Sequence, residues 1–516
     1  MLAFFRLCLV LYAITLGLPA KAQSLWSPAP GQSWDWQLSA PFDFTRPVDI
    51  LDIDQQETSA QTVAMLHGQG KHVICYISVG SWESWRPDAS AYPAALKGKD
   101  YDGWEGEKWV DIRRLDLLGP ILQARFDDCA AKGFDAIEPD NIDGFENDTG
   151  FALTADDQLV FNRWLANEAH SRGLSIGLKN DNGQVADLLN DFDWALSEDC
   201  DAQNWCADLE PFIAAGKAVL QAEYTDTGAS LGTFCTAAKA RGFSGLLKQR
   251  NLQDWARFCP QDSPLAASIL PSARSTRAGE PVTVFATLIN ASATDSANGC
   301  TIAAPAGFPA TLQFQTTDAA TNTLTGTPDT PVDIAPGAAQ TFLISVTPTT
   351  DLSKSTDMYV RFACTNTAPA ASYLGTNTLH LAPAAPTGSA DIIAIVATTS
   401  HDGTVHLPSA SGQHFFTASA INIDQSSTIT ARIDDDGAGL PLTITLCQTN
   451  AQSACLATPA GSITTNMAHN ETVFYAVFIT ATGAIPFNPA LNRLTLRLED
   501  SAGTLRGATS IAVRTP

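Results

Sequence analysis

The stretch GFDAIEPDNIDGF, residues 133–145, carries four carboxylates in thirteen residues and opens like a buried strand. Phe134, Ala136 and Ile137 need a core, whereas Asp135, Glu138, Asp140 and Asp143 need water, a metal or a reaction. Glu138 and Asp140 stand two apart, so on a strand they point to the same side. Pro139 between them has no amide donor, which suits the frayed end of a strand.

Seven further apolar runs share the first 260 residues with this one: WDWQLS (34–39), VDILDID (48–54), HVICYISVG (72–80), LSIGLKN (174–180), FDWALSED (192–199), AVLQAEY (218–224) and SGLLKQR (244–250). Helical patterns lie between them, as in ETSAQTVAMLHGQG and PILQARFDDCAAKG. In LTADDQLVFNRWLANEAHSRG, Thr154 with Asp157 forms a capping-box pattern and Gly173 is a natural stop. Eight strand–helix units of this length predict a parallel (β/α)₈ TIM barrel, in the α/β class. A doubly wound open sheet is the alternative, but no G-x-G-x-x-G turn follows the first strand.

In such barrels the chemistry sits at the C-terminal ends of the strands. Those ends carry Asp52 and Asp54; Tyr76 and Ser78, followed by Trp82, Glu83, Trp85, Arg86 and Asp88; Glu138, Asp140 and Asn141; Lys179, Asn180 and Asp181; Glu198 and Asp199; Glu223 and Tyr224; Lys248 and Arg250. Carboxylates, amides and aromatics on one rim suit a sugar, and two carboxyl groups across a glycosidic bond are what glycoside hydrolysis requires. TDTGASLG is a weak imitation of a phosphate loop. Metal chemistry is not expected: DNIDGFEND lacks calcium-loop spacing, IDDDGAG (433–439) reads as an acidic turn, and the histidines show no HExxH. No cofactor is implied.

At 516 residues the chain exceeds one core. Its net charge of −24 argues against nucleic acid as a partner and suits solubility or attraction of a cationic ligand. Arg6, the apolar LCLVLYAITLGL and Ala20-Lys21-Ala22 read as a secretory signal over residues 1–22, and no later segment is apolar enough to span a membrane. Cleavage would remove Cys8 and leave ten cysteines, an even number that suggests disulfides in an exported protein. Cys200/Cys206 and Cys447/Cys455 are close enough to staple loops, and Cys75/Cys129, Cys235/Cys259 and Cys300/Cys364 complete one plausible set among several connectivities.

All eleven tryptophans lie at or before Trp255, and only Lys354 follows Lys248 among the lysines. Beyond PQDSPLAAS (260–268) the chain alternates with period two between turns, with a linker at APAAPTGSA (382–390). Two all-β immunoglobulin-like sandwiches are expected, 268–383 and 389–516, after a barrel domain of 26–262. They lack tryptophan and show few aromatics of exposed character. A spacer or surface-attachment role is therefore favoured over glycan binding or a protein partner.

WDWQL, YISVGSWESWRPD, WEGEKWVDIR, GFDAIEPDNIDGF, GLKND, SEDC and PFIAAGKAVLQAEY, taken in order, resemble the secreted endo-α-1,4-polygalactosaminidases of glycoside hydrolase family 114. The resemblance covers roughly residues 26 to 260. It implies internal cleavage of α-1,4-linked galactosamine or N-acetylgalactosamine polymers, with Asp140 as nucleophile and Glu198 as general acid/base. Asp199 departs from the pattern and adds a negative charge beside Glu198. An α-linked 2-amino group lies on the leaving-group side of the ring, so it cannot attack from the rear, and a retaining reaction needs a protein carboxylate. Lys179 is expected to keep Asp140 ionised. Asp52, Asp54, Tyr76, Glu138, Asn141, Glu223 and Tyr224 are expected to hold the sugar, and Trp34, Trp36 and Trp85 to stack on it. Asp135 is expected to be structural and Asp143 to cap or order its loop. The competing readings are a non-catalytic glycan-binding barrel and a glycosidase for another amino-sugar or uronic polymer.

Overall fold

The computed structural model describes residues 25–259, 263–400, 402–450 and 452–516. The expected signal segment with Cys8, and part of the boundary at 260–268, lie outside the described residues. All eight runs form strands: β1 (Trp34–Gln37), β2 (Ile50–Asp54), β3 (His72–Ser78), β4 (Ala136–Asp140), β5 (Ser175–Lys179), β6 (Trp194–Glu198), β7 (Val219–Tyr224) and β8 (Ser244–Lys248). They are parallel neighbours in chain order, and β9 (Ala256–Phe258) adds antiparallel to β8. The sheet nearly closes on itself. At the seam Leu38 N donates to Leu252 O (2.9 Å), Trp34 Nε1 to Ser244 O (2.7 Å), and the buried Lys248 ammonium lies 3.1 Å from Asp35.

Among the described residues six helices rather than eight cover the outside: α1 (Ala60–Gly68), α2 (Leu115–Lys132), α3 (Ala155–Ser171), α4 (Val185–Leu188), α5 (Glu210–Ala214) and α6 (Leu231–Arg241). None joins β1 to β2, where Pro41 and Pro47 interrupt a short connection, and β9 replaces the helix after β8. The capping box at Thr154 and Asp157 forms as expected at the start of α3. Between β3 and α2 the chain adds a small antiparallel sheet of Ser81–Glu83, Glu107–Val110 and Lys97–Asp100.

Alternation sorts the strand residues into two environments. Leu51, Ile53, Val73, Cys75, Ile137, Ile176 and Leu178 pack under the helices. Trp34, Trp36, Ile50, Ile74, Ala136, Trp194, Leu196 and Leu220 fill the barrel interior. Gly177 is required there, since a Cβ would lie 2.6 Å from the Trp194 ring. At the strand ends the inward positions turn polar, which places the ionisable groups over an apolar plug.

The remaining chain folds as two β-modules, each with its own core. In the first, a four-stranded sheet runs Leu265–Leu270, Val282–Asn290, Ala339–Pro348, Ala310–Thr317; in the second, Ile392–Ala397, Gln413–Asn422, Thr472–Ala481, Leu442–Thr449. The strand order repeats, so the modules are built alike. They are docked rather than strung. Buried Arg274 pairs with Asp391 across the two modules (2.8 Å), and buried Arg46 of the barrel donates to the Tyr359 hydroxyl of the first (2.8 Å). The shortage of exposed aromatics expected from the sequence does not hold. Phe415, Phe474 and Phe478 are 38–46% exposed on the second module, because outward positions of a strand carry them. Cys200–Cys206 and Cys447–Cys455 form as their spacing suggested, and of the connectivities left open for the other six the structure has 75–129, 235–259 and 300–364.

Candidate active site

Lys179 stands at the end of β5 and organises the mouth of the barrel. Its ammonium lies 2.9 Å from Glu138 Oε1, 2.8 Å from Asp140 Oδ1 and 3.2 Å from Glu198 Oε2, above the Trp36 ring. Burial would draw the proton off this amine, but Asp140, Glu138 and Glu198 outweigh it and hold the group charged well above the ordinary lysine range. The shared ammonium keeps Asp140 Oδ1 and Glu198 Oε2 no more than 6.0 Å apart, the reach of its two contacts together. Asp140 and Glu198 remain open to solvent, with side chains 19% and 25% exposed, whereas Lys179 and Glu138 are sealed.

Each open carboxylate has a tyrosine. Tyr76 donates to Asp140 Oδ2 (2.8 Å) and Tyr224 to Glu198 Oε1 (2.5 Å). Burial first, and the adjacent carboxylate second, push both phenols well above their usual range, so both stay protonated donors. Asn180 completes the Glu198 cradle by accepting from its backbone N–H (2.9 Å) and donating to Oε2 (3.3 Å).

Behind Lys179 lies an acid pair. Asp52 is fully buried, no N–H or hydroxyl reaches either of its oxygens, and Glu138 Oε2 is equally bare. Burial and the charge of Glu138 raise the Asp52 carboxyl well above the normal range, while burial lifts Glu138 to about 7. The arrangement is that of a carboxylic acid on Asp52 donating to Glu138, whose other oxygen faces Lys179.

The strand ends also bend. Asn141, Asn180, Asp181 and Asp199 all adopt left-handed backbone, with φ of 65°, 52°, 38° and 54°. Asparagine and aspartate tolerate this region better than most residues, and strain of this kind clusters at functional rims. At the end of β3, Gly80 packs against this bend: a Cβ would lie 1.6 Å from the Asn141 carbonyl oxygen.

Several residues expected to hold sugar are engaged within the protein. Asp54 is bound by Arg86 (2.8 and 2.7 Å) and by the amide N–H groups of Gln56 and Glu57. Glu223 accepts from the backbone of Asp201 (2.8 Å) and Ala202 (3.3 Å) and from Gln221, which fixes the loop closed by Cys200–Cys206. Asp52 and Glu138 serve Lys179, and Asn141 donates to Ser78, Ser81 and Glu107. Trp34 and Trp36 are buried in the barrel plug and offer no open ring face; Trp85, 54% exposed on the rim, does. Asp143 does not cap the turn that follows it, and burial with the charge of Asp140 lifts it to about 6. Asp135 is structural as expected, accepting from Val73 N and bonding His67. Asp199 pairs with Arg250 (2.8 Å), which also lies over the Tyr224 ring, so its negative charge has a local partner.

Two contributors escaped the sequence reading, and a third was read without a role. Tyr101 lies within the field of Asp140, Asp143 and Glu198. Glu107 sits beneath the Asp140–Asn141 bend and is raised to about 7 by burial. Asn180 was visible only as a polar strand end. The first two come from the insertion after β3, whose fold has no periodic signature. Cys200, Cys206 and Glu223 cluster like metal ligands, but the sulfurs are bonded to each other and the carboxylate to backbone amides.

The family model of glycoside hydrolase family GH114 matches residues 15–264. Aspergillus fumigatus Ega3, solved in complex with galactosamine, is 35% identical over 97% of its own chain and 45% of this one, with a TM-score of 0.43. The chain belongs to glycoside hydrolase family GH114. GH114 enzymes have a TIM-barrel-like fold, here the nearly closed nine-stranded sheet, and this GH114 chain is a glycoside hydrolase. The glycoside hydrolase domain of PelA from Pseudomonas aeruginosa also matches, at 14% identity, 99% of its chain, 45% of this one and a TM-score of 0.37. Among curated proteins, none matches this chain. Among the described residues no helix is long and apolar enough to cross a membrane.

Proposed function

We propose that this GH114 enzyme cleaves α-1,4-linked galactosamine or N-acetylgalactosamine polymers internally, with retention, using Asp140 as nucleophile and Glu198 as acid/base. One observation carries the reading: Lys179 bridges Asp140 Oδ1 and Glu198 Oε2, limiting their separation to 6.0 Å. Retaining glycosidases hold their carboxyl groups about 5 to 5.5 Å apart and inverting ones about 6.5 to 9.5 Å, and a bound of 6.0 Å on the two facing oxygens supports the closer arrangement.

Asp140, held by the Lys179 ammonium and the Tyr76 hydroxyl on its oxygens, attacks C1 of the sugar. The C1–O bond breaks as Glu198 delivers its proton to the leaving oxygen, forming a glycosyl ester on Asp140. Glu198 then takes a proton from water, whose oxygen attacks C1 and releases Asp140. Tyr224 and Asn180 hold Glu198 in place for both proton transfers.

The substrate assignment rests on family membership and on the acidic rim of Asp140, Asp143 and Glu198, which suits a polymer bearing ammonium groups. The chain is read as exported after loss of residues 1–22, with a catalytic domain of 26–262. The immunoglobulin-like sandwiches of 268–383 and 389–516 present that domain at a surface or to glycan. Incubating the full chain with polygalactosamine should release oligomers, and Asp140→Asn and Glu198→Gln should each lose about three orders of magnitude in kcat. Binding without release by the wild-type chain would refute catalysis on this polymer.

A further inference from the structure

We propose that Glu107 is a positioning residue for Asp140, tying the small sheet inserted after β3 to the reacting end of β4. The inference rests on Asp140 being a reacting carboxylate. Glu107 begins the middle strand of that sheet and is buried. Its Oε1 accepts from the Ser81 hydroxyl and from Asn141 Nδ2 (3.3 Å). Ser81 is also within 2.5 Å of Ser78 Oγ, and Asn141 Nδ2 donates to both serine hydroxyls (2.9 and 3.2 Å). Every side-chain N–H contact of Asn141 thus ends in one buried cluster, whose ionisable member is Glu107.

This matters for Asp140 because Asn141 is its left-handed neighbour. The Asn141 backbone N–H donates to Asp140 Oδ1 (2.9 Å), the same oxygen that faces Lys179. The peptide bonds are held from the other side: Val79 N and Gly80 N both donate to the Asp140 carbonyl (3.1 and 3.2 Å), and the Asn141 carbonyl fills the space that a side chain on Gly80 would occupy. Gly80 in turn accepts from Val110 N of the inserted sheet (3.1 Å). The insertion therefore grips the Asp140–Asn141 bend twice, through backbone at Gly80 and through the Glu107 side chain. A nucleophile that drifts by about 1 Å can cost about a hundredfold in rate, so a grip of this kind acts on kcat.

Glu107→Gln retains an acceptor oxygen at the same place and should keep kcat within about twofold of wild type on polygalactosamine. Glu107→Ala leaves the Ser81 hydroxyl and Asn141 amide without it, and should lower kcat about tenfold or more with KM within about twofold. Rescue by Gln separates positioning from general packing, because the two variants differ in the acceptor. If Glu107→Ala does not fold, Ser81→Ala, which removes one hydroxyl link, carries the test with a smaller loss of kcat at unchanged KM. Wild-type kcat in Glu107→Ala, a loss in KM rather than kcat, or equal damage by Gln would overturn the inference. Wild-type activity in Asp140→Asn would instead refute the nucleophile assignment on which it rests.

Discussion

The Tyr224 hydroxyl donates to Glu198 Oε1 at 2.5 Å, joining the end of β7 to the end of β6. It is the fixed donor on the oxygen that Lys179 and Asn180 leave free, since both of those meet Oε2. Hydrogen bonds to a charged group contribute about 1.5–3 kcal/mol, so Tyr224→Phe should lower kcat roughly ten- to a hundredfold. Steady-state kinetics on galactosamine oligomers checks this, with KM expected to stay within a few-fold.

Asp52→Asn should be tolerated. An amide supplies the N–H that the Asp52 acid supplies to Glu138, and it leaves Glu138 Oε1 on Lys179. Asp52→Ala removes the donor and bares a buried carboxylate, so its kcat should fall about tenfold further than that of the Asn variant. Equal loss in both would show that the Asp52 proton is not what holds Glu138.

Asp181 gives a pH prediction. It is buried, accepts from Asn162 through one oxygen and has no donor on the other; burial, with the charges of Asp143 and Glu146, raises it to about 9. Its ordinary value is 3.8, so between these limits the folded state binds more proton than the unfolded one. Stability from this group is then fully present below about 4 and is lost as pH rises toward 9. Glu138 and Glu107, both about 7, and Asp143, about 6, add the same sign over narrower windows. Asp181→Asn should therefore raise Tm at pH 8 and have little effect at pH 4. Thermal melts at the two values check the sign.

Removing the β-modules should separate stability from catalysis. Arg46 packs against both Phe258 of the barrel and Tyr359 of the first module, and Lys354 pairs with Asp254 (2.7 Å), while Tyr76, Lys179 and Tyr224, which hold Asp140 and Glu198, all belong to the barrel. A chain ending at residue 262 should melt several degrees lower than the full protein yet hydrolyse soluble oligomers at a similar kcat. A collapse of kcat in a folded truncation would mean that the modules shape the mouth.

What the sequence made legible follows from local physics. Apolar runs with polar ends marked all eight barrel strands, because a two-residue alternation decides which side chain meets the core and which meets the rim. Thr154 and Asp157 marked the start of α3 through a capping pattern that needs only four residues. The missing helices were harder: the 38–49 connection is broken by Pro41 and Pro47, while β9 depends on pairing with β8. In the site, Lys179, Tyr76 and Tyr224 stood among the polar strand ends, the family resemblance singled out Asp140 and Glu198 from that same set, and the five converge. Environment was the part that stayed hidden. Asp54 and Glu223 looked like sugar ligands because nothing local reveals that Arg86, or the amides of Asp201 and Ala202, will reach them first. Trp34 and Trp36 looked like platforms because burial is a property of the closed sheet. Glu107 was hidden for the same reason, its role resting on contacts to Ser81 and Asn141 on other segments.

A pair of carboxylates bridged by Lys179 and acting as nucleophile and acid/base gives a retaining reaction. The anomeric form of the newly released reducing end, followed by proton NMR in the first minutes of polygalactosamine hydrolysis, tests it most directly. With retention the α-anomer appears first and mutarotates afterwards. First appearance of the β-anomer would contradict it.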